Sequence, residues 1–232
     1  MTTLRRWPLV AICLAIVALG ACGLPSPTQG LRHGAPLRAA EHAVARAAAL
    51  TTTTSTTTPP ALGPLSSPPL PAPGPGFRPG VVTAIGDSVM LDAEGDLQHD
   101  IPGIQINAAV SRQWTDGEAV LSQLKSVGFL GAVVVIALGT NGPITVADFD
   151  QMMGILDGAS RVVFVTVHVD QPWQDPVNDV LETGVKSFPH AVLADWAALA
   201  ATNPLWFGSD GTHLPIGGTG AQTLAALIAT KV

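Results

Sequence analysis

The run Val133-Val134-Val135-Ile136 is apolar without alternation. A strand wetted on one face alternates apolar and polar side chains, so this run has to be covered on both faces. That is the situation of a central strand in a parallel sheet flanked by helices. The rest of 81–232 supplies the neighbours such a strand needs. Short apolar runs fall at 81–86, 104–108, 161–167 and 190–195, separated by longer amphipathic stretches at 89–98, 116–126, 145–157, 174–187 and 216–230. With 132–138 as the third strand, this alternation predicts a three-layer α/β/α domain of flavodoxin-like type around a five-stranded parallel sheet. The hydrophobic share of 47% is ample for its core. In such sheets reactive groups gather beyond the carboxyl ends of the strands, which directs attention to the polar residues just after each one.

The chain before residue 81 reads differently. Met1 to Cys22 has a basic start with Arg5 and Arg6, an apolar run from Leu9 to Leu19, and Gly20 and Ala21 ahead of Cys22. This is a secretory signal pattern, and its apolar run falls short of the roughly 20 residues that a membrane-spanning helix needs. Leu19-Gly20-Ala21-Cys22 resembles the lipobox of bacterial lipoproteins. That resemblance implies cleavage before Cys22, lipidation of its thiol, and an exported protein held at the outer face of the cell membrane. An ordinary signal peptide, giving a secreted protein, and an uncleaved anchor are the alternatives. Residues 23–80 include a threonine run from Thr51 to Thr58 and a proline-rich stretch down to Gly80. They hold too few large apolar side chains to offset ordering entropy and are expected to form a disordered stalk.

The two cysteines, Cys13 and Cys22, both belong to the export segment, which leaves the folded part without an internal disulfide or a thiolate metal site. No cluster of ligands suggests a metal, and no cofactor is expected. The net charge of −6 is concentrated in the folded part, because arginines outnumber acids before residue 77. An acidic domain without a basic stripe disfavours a nucleic-acid partner.

Three polar groups fall at strand ends. Gly86-Asp87-Ser88-Val89 places a serine on a strand-to-helix turn, where a hydroxyl can be exposed; alone, Asp and Ser there are also ordinary helix caps. Asp210-Gly211-Thr212-His213 puts a carboxylate and an imidazole three residues apart just before the last helix. In that arrangement Asp210 can orient Nδ1–H while Nε2 faces a serine as general base; alone, it is a turn with a surface histidine. Leu138-Gly139-Thr140-Asn141-Gly142 offers a side-chain amide donor after the third strand. Gly217-Gly218-Thr219-Gly220 follows no strand, which argues against a dinucleotide loop.

The order GDS, then GTN, then DxxH resembles the SGNH (GDSL-type) hydrolase superfamily over essentially all of 81–232. The resemblance implies Ser88, Asp210 and His213 as a catalytic triad. It also implies an oxyanion hole from Ser88 N–H, the main chain at Ala109 and the amide of Asn141. Ala109 stands where the family usually has glycine. A narrower resemblance, carried by Ala-x-Val-x-Arg-Gln after the second strand, Gly-Thr-Asn-Gly, and Val-His-Val…Pro-Trp…Asn, is to the extracytoplasmic domain of peptidoglycan O-acetyltransferases. It implies a cell-envelope esterase or O-acyltransferase acting on short acyl esters of a glycan. A multi-span acyltransferase unit precedes that domain in the family but not in this sequence, so a separate membrane acyltransferase is an expected partner if the chain is not a free-standing hydrolase. Candidate substrate contacts are Asp87, Arg112, Gln113, His168 and Trp173, with Trp114 and Trp206 also in loops at the same edge. The rival reading is a non-catalytic SGNH-like module that binds envelope polymer.

Overall fold

The computed structural model describes residues 69–232. The expected signal segment, Cys22 and the stalk up to residue 68 lie outside the described residues. Strands β1 (Phe77–Gly86), β2 (Gln105–Ala108), β3 (Leu130–Ala137), β4 (Arg161–Val165) and β5 (Ala191–Ala194) form one five-stranded sheet. Its order is β2-β1-β3-β4-β5 and every pairing is parallel. The helices are α1 (Ser88–Asp92), α2 (Glu94–Asp100), α3 (Trp114–Ser126), α4 (Val146–Ile155), α5 (Gln174–Gly184), α6 (Trp196–Ala201) and α7 (Thr219–Ala229). None of them is long and apolar enough to cross a membrane.

The unbroken apolar run in β3 serves two cores at once. Val134 and Ile136 point into one layer with Leu121, Phe149, Met152, Val177 and Leu181, contributed by α3, α4 and α5. Val135 points into the other with Val89, Leu97, Trp196 and Leu224 from α1, α2, α6 and α7. β4 divides likewise, Val162 and Phe164 against Val163 and Val165, which is the period of two expected when both faces are dry. Phe149 and Phe164, both fully buried, meet with ring centroids 4.7 Å apart. Burying each such ring contributes about 1.5–3 kcal/mol.

The structure departs from the sequence-based elements in four places. β1 begins at Phe77, not 81, because Phe77 and Arg78 already pair with Leu130 and Gly131; a register shift before Val82 accommodates Pro79 and Gly80. The helix expected over 89–98 is two, broken at the fully buried Ala93. The stretch 174–187 tightens into a short 3-10 turn over Val185–Ser187. α6 was not expected; Asp195 caps it by accepting from Ala198 N–H at 3.2 Å, and it buries Trp196 and Ala200.

Candidate active site

β1 delivers Ser88. At Gly86 the chain turns from strand into α1, and a Cβ there would lie 2.4 Å from that of Met90, so only glycine lets strand and helix meet this closely. Asp87 caps α1, its Oδ1 accepting from Val89 N–H at 3.0 Å. Ser88 opens the helix, so its own N–H has no helical acceptor. Its Oγ lies 2.9 Å from Nε2 of His213.

The loop that carries His213 is organised by Asp210. One carboxylate oxygen, Oδ1, accepts from Thr212 N–H and His213 N–H, each at 3.0 Å, and fixes the turn. The other, Oδ2, lies 2.7 Å from His213 Nδ1. The bonds from Thr212 N–H, the His213 ring and His213 N–H hold the Asp210 carboxyl well below the usual carboxylate range. As an ionised acceptor it requires the proton on Nδ1, which leaves the Nε2 lone pair facing the Ser88 hydroxyl. The Asp210 hydrogen bond also raises the His213 pKa above its ordinary value, against partial desolvation and with help from the charges of Asp210, Asp92 and Asp87. The three side chains form one hydrogen-bonded chain across 125 residues of sequence.

β3 delivers Asn141. Gly139 takes φ +114 at the end of the strand, a value open to glycine, and packs against Val177. The Asn141 amide donates to Arg112 O at 3.3 Å, which fixes its plane and leaves its second N–H free. Ser88, Asn141, Trp173, Gln171, Asp210 and His213 border one open cleft of ≈ 370 Å³. Trp173 is held there by its indole N–H, which donates to Thr140 O at 3.3 Å. Among the described residues no group of three or more His, Cys, Asp or Glu is placed to hold a metal ion.

No protein-family model matches the chain. Peptidoglycan O-acetyltransferase OatA of Listeria monocytogenes is 33% identical over 145 residues, which are 62% of this chain and 23% of that protein. O-acetyltransferase OatA of Staphylococcus aureus is 34% identical over 142 residues, 60% of this chain and 23% of that protein. The chain thus spans about a quarter of the length of the curated relatives it matches. The C-terminal catalytic domain of Streptococcus pneumoniae peptidoglycan O-acetyltransferase A, solved with a methylsulfonyl adduct, superposes with a TM-score of 0.60 at 29% identity over 65% of this chain and 90% of that domain. An acetyl esterase solved with acetate shares the fold at a TM-score of 0.52 and 16% identity. The fold is that of the SGNH hydrolases.

Within this domain the remaining expected contacts are placed differently. Ala109 N–H donates to Gly86 O at 3.2 Å, as a continuation of the β1–β2 ladder, and so does not point at a substrate oxygen. The turn that follows closes through Arg112 N–H to Ala109 O, with Ser111 at φ 58. The N–H groups of Val110 and Ser111 make no hydrogen bond among the described residues, so a main-chain donor from this turn comes after Ala109. Arg112 faces the sheet edge: it donates to Gly86 O at 3.2 Å, to Asn107 Oδ1 at 2.7 Å and to Asn107 O, tying the ends of β1 and β2 together. Gln113 donates from its side chain to Ser111 O and from its N–H to Asp116 at the start of α3. Neither lines the cleft.

Asp87 and His168 line a second, smaller pocket with Thr166 and with Thr140, which it shares with the cleft. Burial pushes the Asp87 carboxyl up, only partly offset by Thr140, Val89 N–H and His213, and its enclosed Oδ2 lacks a hydrogen-bond partner. His168 packs against Phe207 in a tilted arrangement, ring centroids 4.8 Å apart, and burial lowers its pKa. Trp114 is buried with its N–H on Asp148 O, and Trp206 stacks on Trp196 at 5.8 Å. Of the aromatic and polar contacts expected at this edge, Trp173 alone borders the cleft. Sequence reasoning missed Gln171 and Asp92; the i, i+4 spacing of Ser88 and Asp92 on one helix was the available signal for the second.

Proposed function

We propose that this domain transfers or hydrolyses short acyl groups, acetyl above all, on a glycan of the cell envelope through an acyl-enzyme on Ser88. The observation that carries the reading is the hydrogen-bonded chain from Asp210 through His213 to Ser88 Oγ, opening on a cleft bordered by Asn141. The relatives' activity as peptidoglycan O-acetyltransferases supports the choice of acyl group and acceptor. His213 Nε2 takes the hydroxyl proton as Ser88 Oγ bonds to the ester carbonyl carbon. The oxyanion is held by Ser88 N–H, the free N–H of Asn141 and a main-chain N–H from the 110–111 turn; removing one such donor costs about 3–4 kcal/mol of transition-state stabilisation. The leaving alcohol receives the proton from His213. An incoming hydroxyl, of water or of a sugar, then loses its proton to Nε2 as its oxygen bonds to the acyl carbon; the bond to Ser88 Oγ breaks and His213 returns the proton to Oγ.

The open cleft suits a sugar residue at the end of a polymer, and the fixed indole of Trp173 supplies a face for it. On this reading the protein is exported, anchored through Cys22 and spaced from the membrane by the stalk, and a membrane acyltransferase supplies its acyl groups. The test is partitioning. The full chain is given an aryl acetate with and without muro-oligosaccharide, and acetylated sugar is measured beside free acetate. A serine-directed phosphonate should label Ser88, and Ser88→Ala should abolish both labelling and turnover. Acetylated sugar establishes transfer; acetate alone, unaffected by glycan, leaves an esterase. Labelling elsewhere, or turnover by Ser88→Ala, sinks the reading.

A further inference from the structure

Asp92 is the last residue of α1, one helical turn beyond Ser88. Residues four apart on a helix project from the same face, so the side chains of Ser88 and Asp92 both reach the loop of His213. Ser88 Oγ meets the His213 ring at 2.9 Å, and Asp92 Oδ2 accepts from the N–H of the next residue, Leu214, at 2.9 Å. The two contacts bridge nearly the same stretch of sequence, 125 and 122 residues, and hold adjacent residues of one loop against one helix face.

Asp210 performs a different task. Its bonds to Thr212 N–H, His213 N–H and the His213 ring all lie within the loop. They set the ring's tautomer and orientation relative to its own backbone, and they would be unchanged if the whole loop moved away from α1. The bond from Leu214 N–H to Asp92, together with the Leu214 side chain buried beside α7, is what locates that loop relative to the nucleophile. We propose that Asp92 is a positioning residue that fastens the His213 loop to the helix carrying Ser88 and so sets the Ser88–His213 distance. The inference rests on the catalytic reading above. Asp92 has a second effect through its charge. Asp210, Asp92 and Asp87 are the acidic groups that raise the His213 pKa, Asp210 first. Removing the Asp92 charge therefore lowers that pKa, and the base becomes available at lower pH.

Two substitutions separate position from charge. Asp92→Asn keeps an acceptor for Leu214 N–H and loses the charge; Asp92→Ala loses both. With the full chain and an aryl acetate, Asp92→Asn should lower kcat about threefold and shift the rise of kcat/KM to lower pH. Asp92→Ala should show the same pH shift and a kcat lower by about 10–100-fold, the scale of a catalytic group displaced by about an ångström, with KM little changed. The His213 ring, followed by NMR titration, should show the lowered pKa in both variants whether or not either turns over. Equal kcat in Asp92→Ala and wild type, or an unmoved His213 titration in a folded Asp92→Asn, overturns the assignment. A wild-type protein that neither turns over nor labels at Ser88 overturns the catalytic reading and this inference with it, whereas an active wild type with an indifferent Asp92 overturns this inference alone.

Discussion

Asparagine at position 210 would change charge and one donor at constant size, which makes it the sharpest perturbation of the site. The Asn carbonyl can take the place of Oδ1 and keep both 3.0 Å backbone bonds, so the loop should stay formed. Its NH2 then faces His213 Nδ1 across the former 2.7 Å contact. A donor there draws the imidazole into the tautomer with its proton on Nε2, and that nitrogen can no longer accept from Ser88. In a buried triad this change lowers kcat about 10⁴-fold. Here the side chains of His213 and Asp210 are 47% and 53% exposed, so water competes for the ring and screens the pair. The expected loss is therefore smaller, about 10²–10³-fold. The pH effect has a definite sign. The Asp210 hydrogen bond is the largest cause raising the His213 pKa above its ordinary value, so the residual rate of Asp210→Asn should climb with pH at lower pH than the wild-type rate does. The assay is kcat/KM on a short-chain aryl acetate from acid to mildly alkaline pH, with unfolding followed in parallel. Full kcat in the variant, or an unmoved pH midpoint, would refute His213 as a base oriented by Asp210.

Asn141→Ala removes an amide donor bordering the cleft beside Ser88 and should lower kcat about 10²-fold while KM moves by less than about threefold; an equal change in KM would make Asn141 a substrate contact instead. Asp87→Asn should stabilise the fold increasingly as pH rises. Burial raises the folded-state pKa of Asp87, so between its ordinary and its raised pKa the native state binds more protons than the unfolded state, and stability falls with pH; asparagine removes that loss and can still accept from Val89 N–H. Denaturant unfolding of both proteins at acid and neutral pH measures it, and a stability difference that does not grow with pH would contradict the assignment.

The sheet was legible because β3 and β4 are apolar on both faces, a pattern that leaves a chain few other folds. The hydrogen-bonded chain of Asp210, His213 and Ser88 was legible because each member sits next to an element end: Ser88 after β1, Asp210 and His213 before α7. What failed was judged from residue type without direction. Arg112 and Asp87 look like substrate contacts in sequence, yet Arg112 is consumed by the carbonyls of Gly86 and Asn107, and Asp87 faces inward below Ser88. His168 follows β4 at the right end of the sheet, but its ring packs on Phe207. The N–H of Ala109 is taken up by the β1–β2 ladder, which runs on by one hydrogen bond past the pair Gly86–Ala108. Register and side-chain direction at strand ends depend on tertiary contacts that periodicity does not encode.

Parallel pairing has a consequence for where the cleft faces. All strands run one way, so Ser88, Asn141 and the loop of Trp173 collect at one end of the sheet, and the chain comes in at the other. There Ser160 Oγ donates to Pro71 O at 2.6 Å and Gly74 N–H donates to Gly158 O at 2.7 Å, pinning residues 71–74 to the turn that leads into β4. β1 then crosses the sheet over 10 residues, which at about 3.3 Å each puts roughly 30 Å between the incoming chain and Ser88. Ser88 and the cleft therefore lie at the opposite end of the sheet from residues 71–74, and a ligand reaches them without passing the incoming chain.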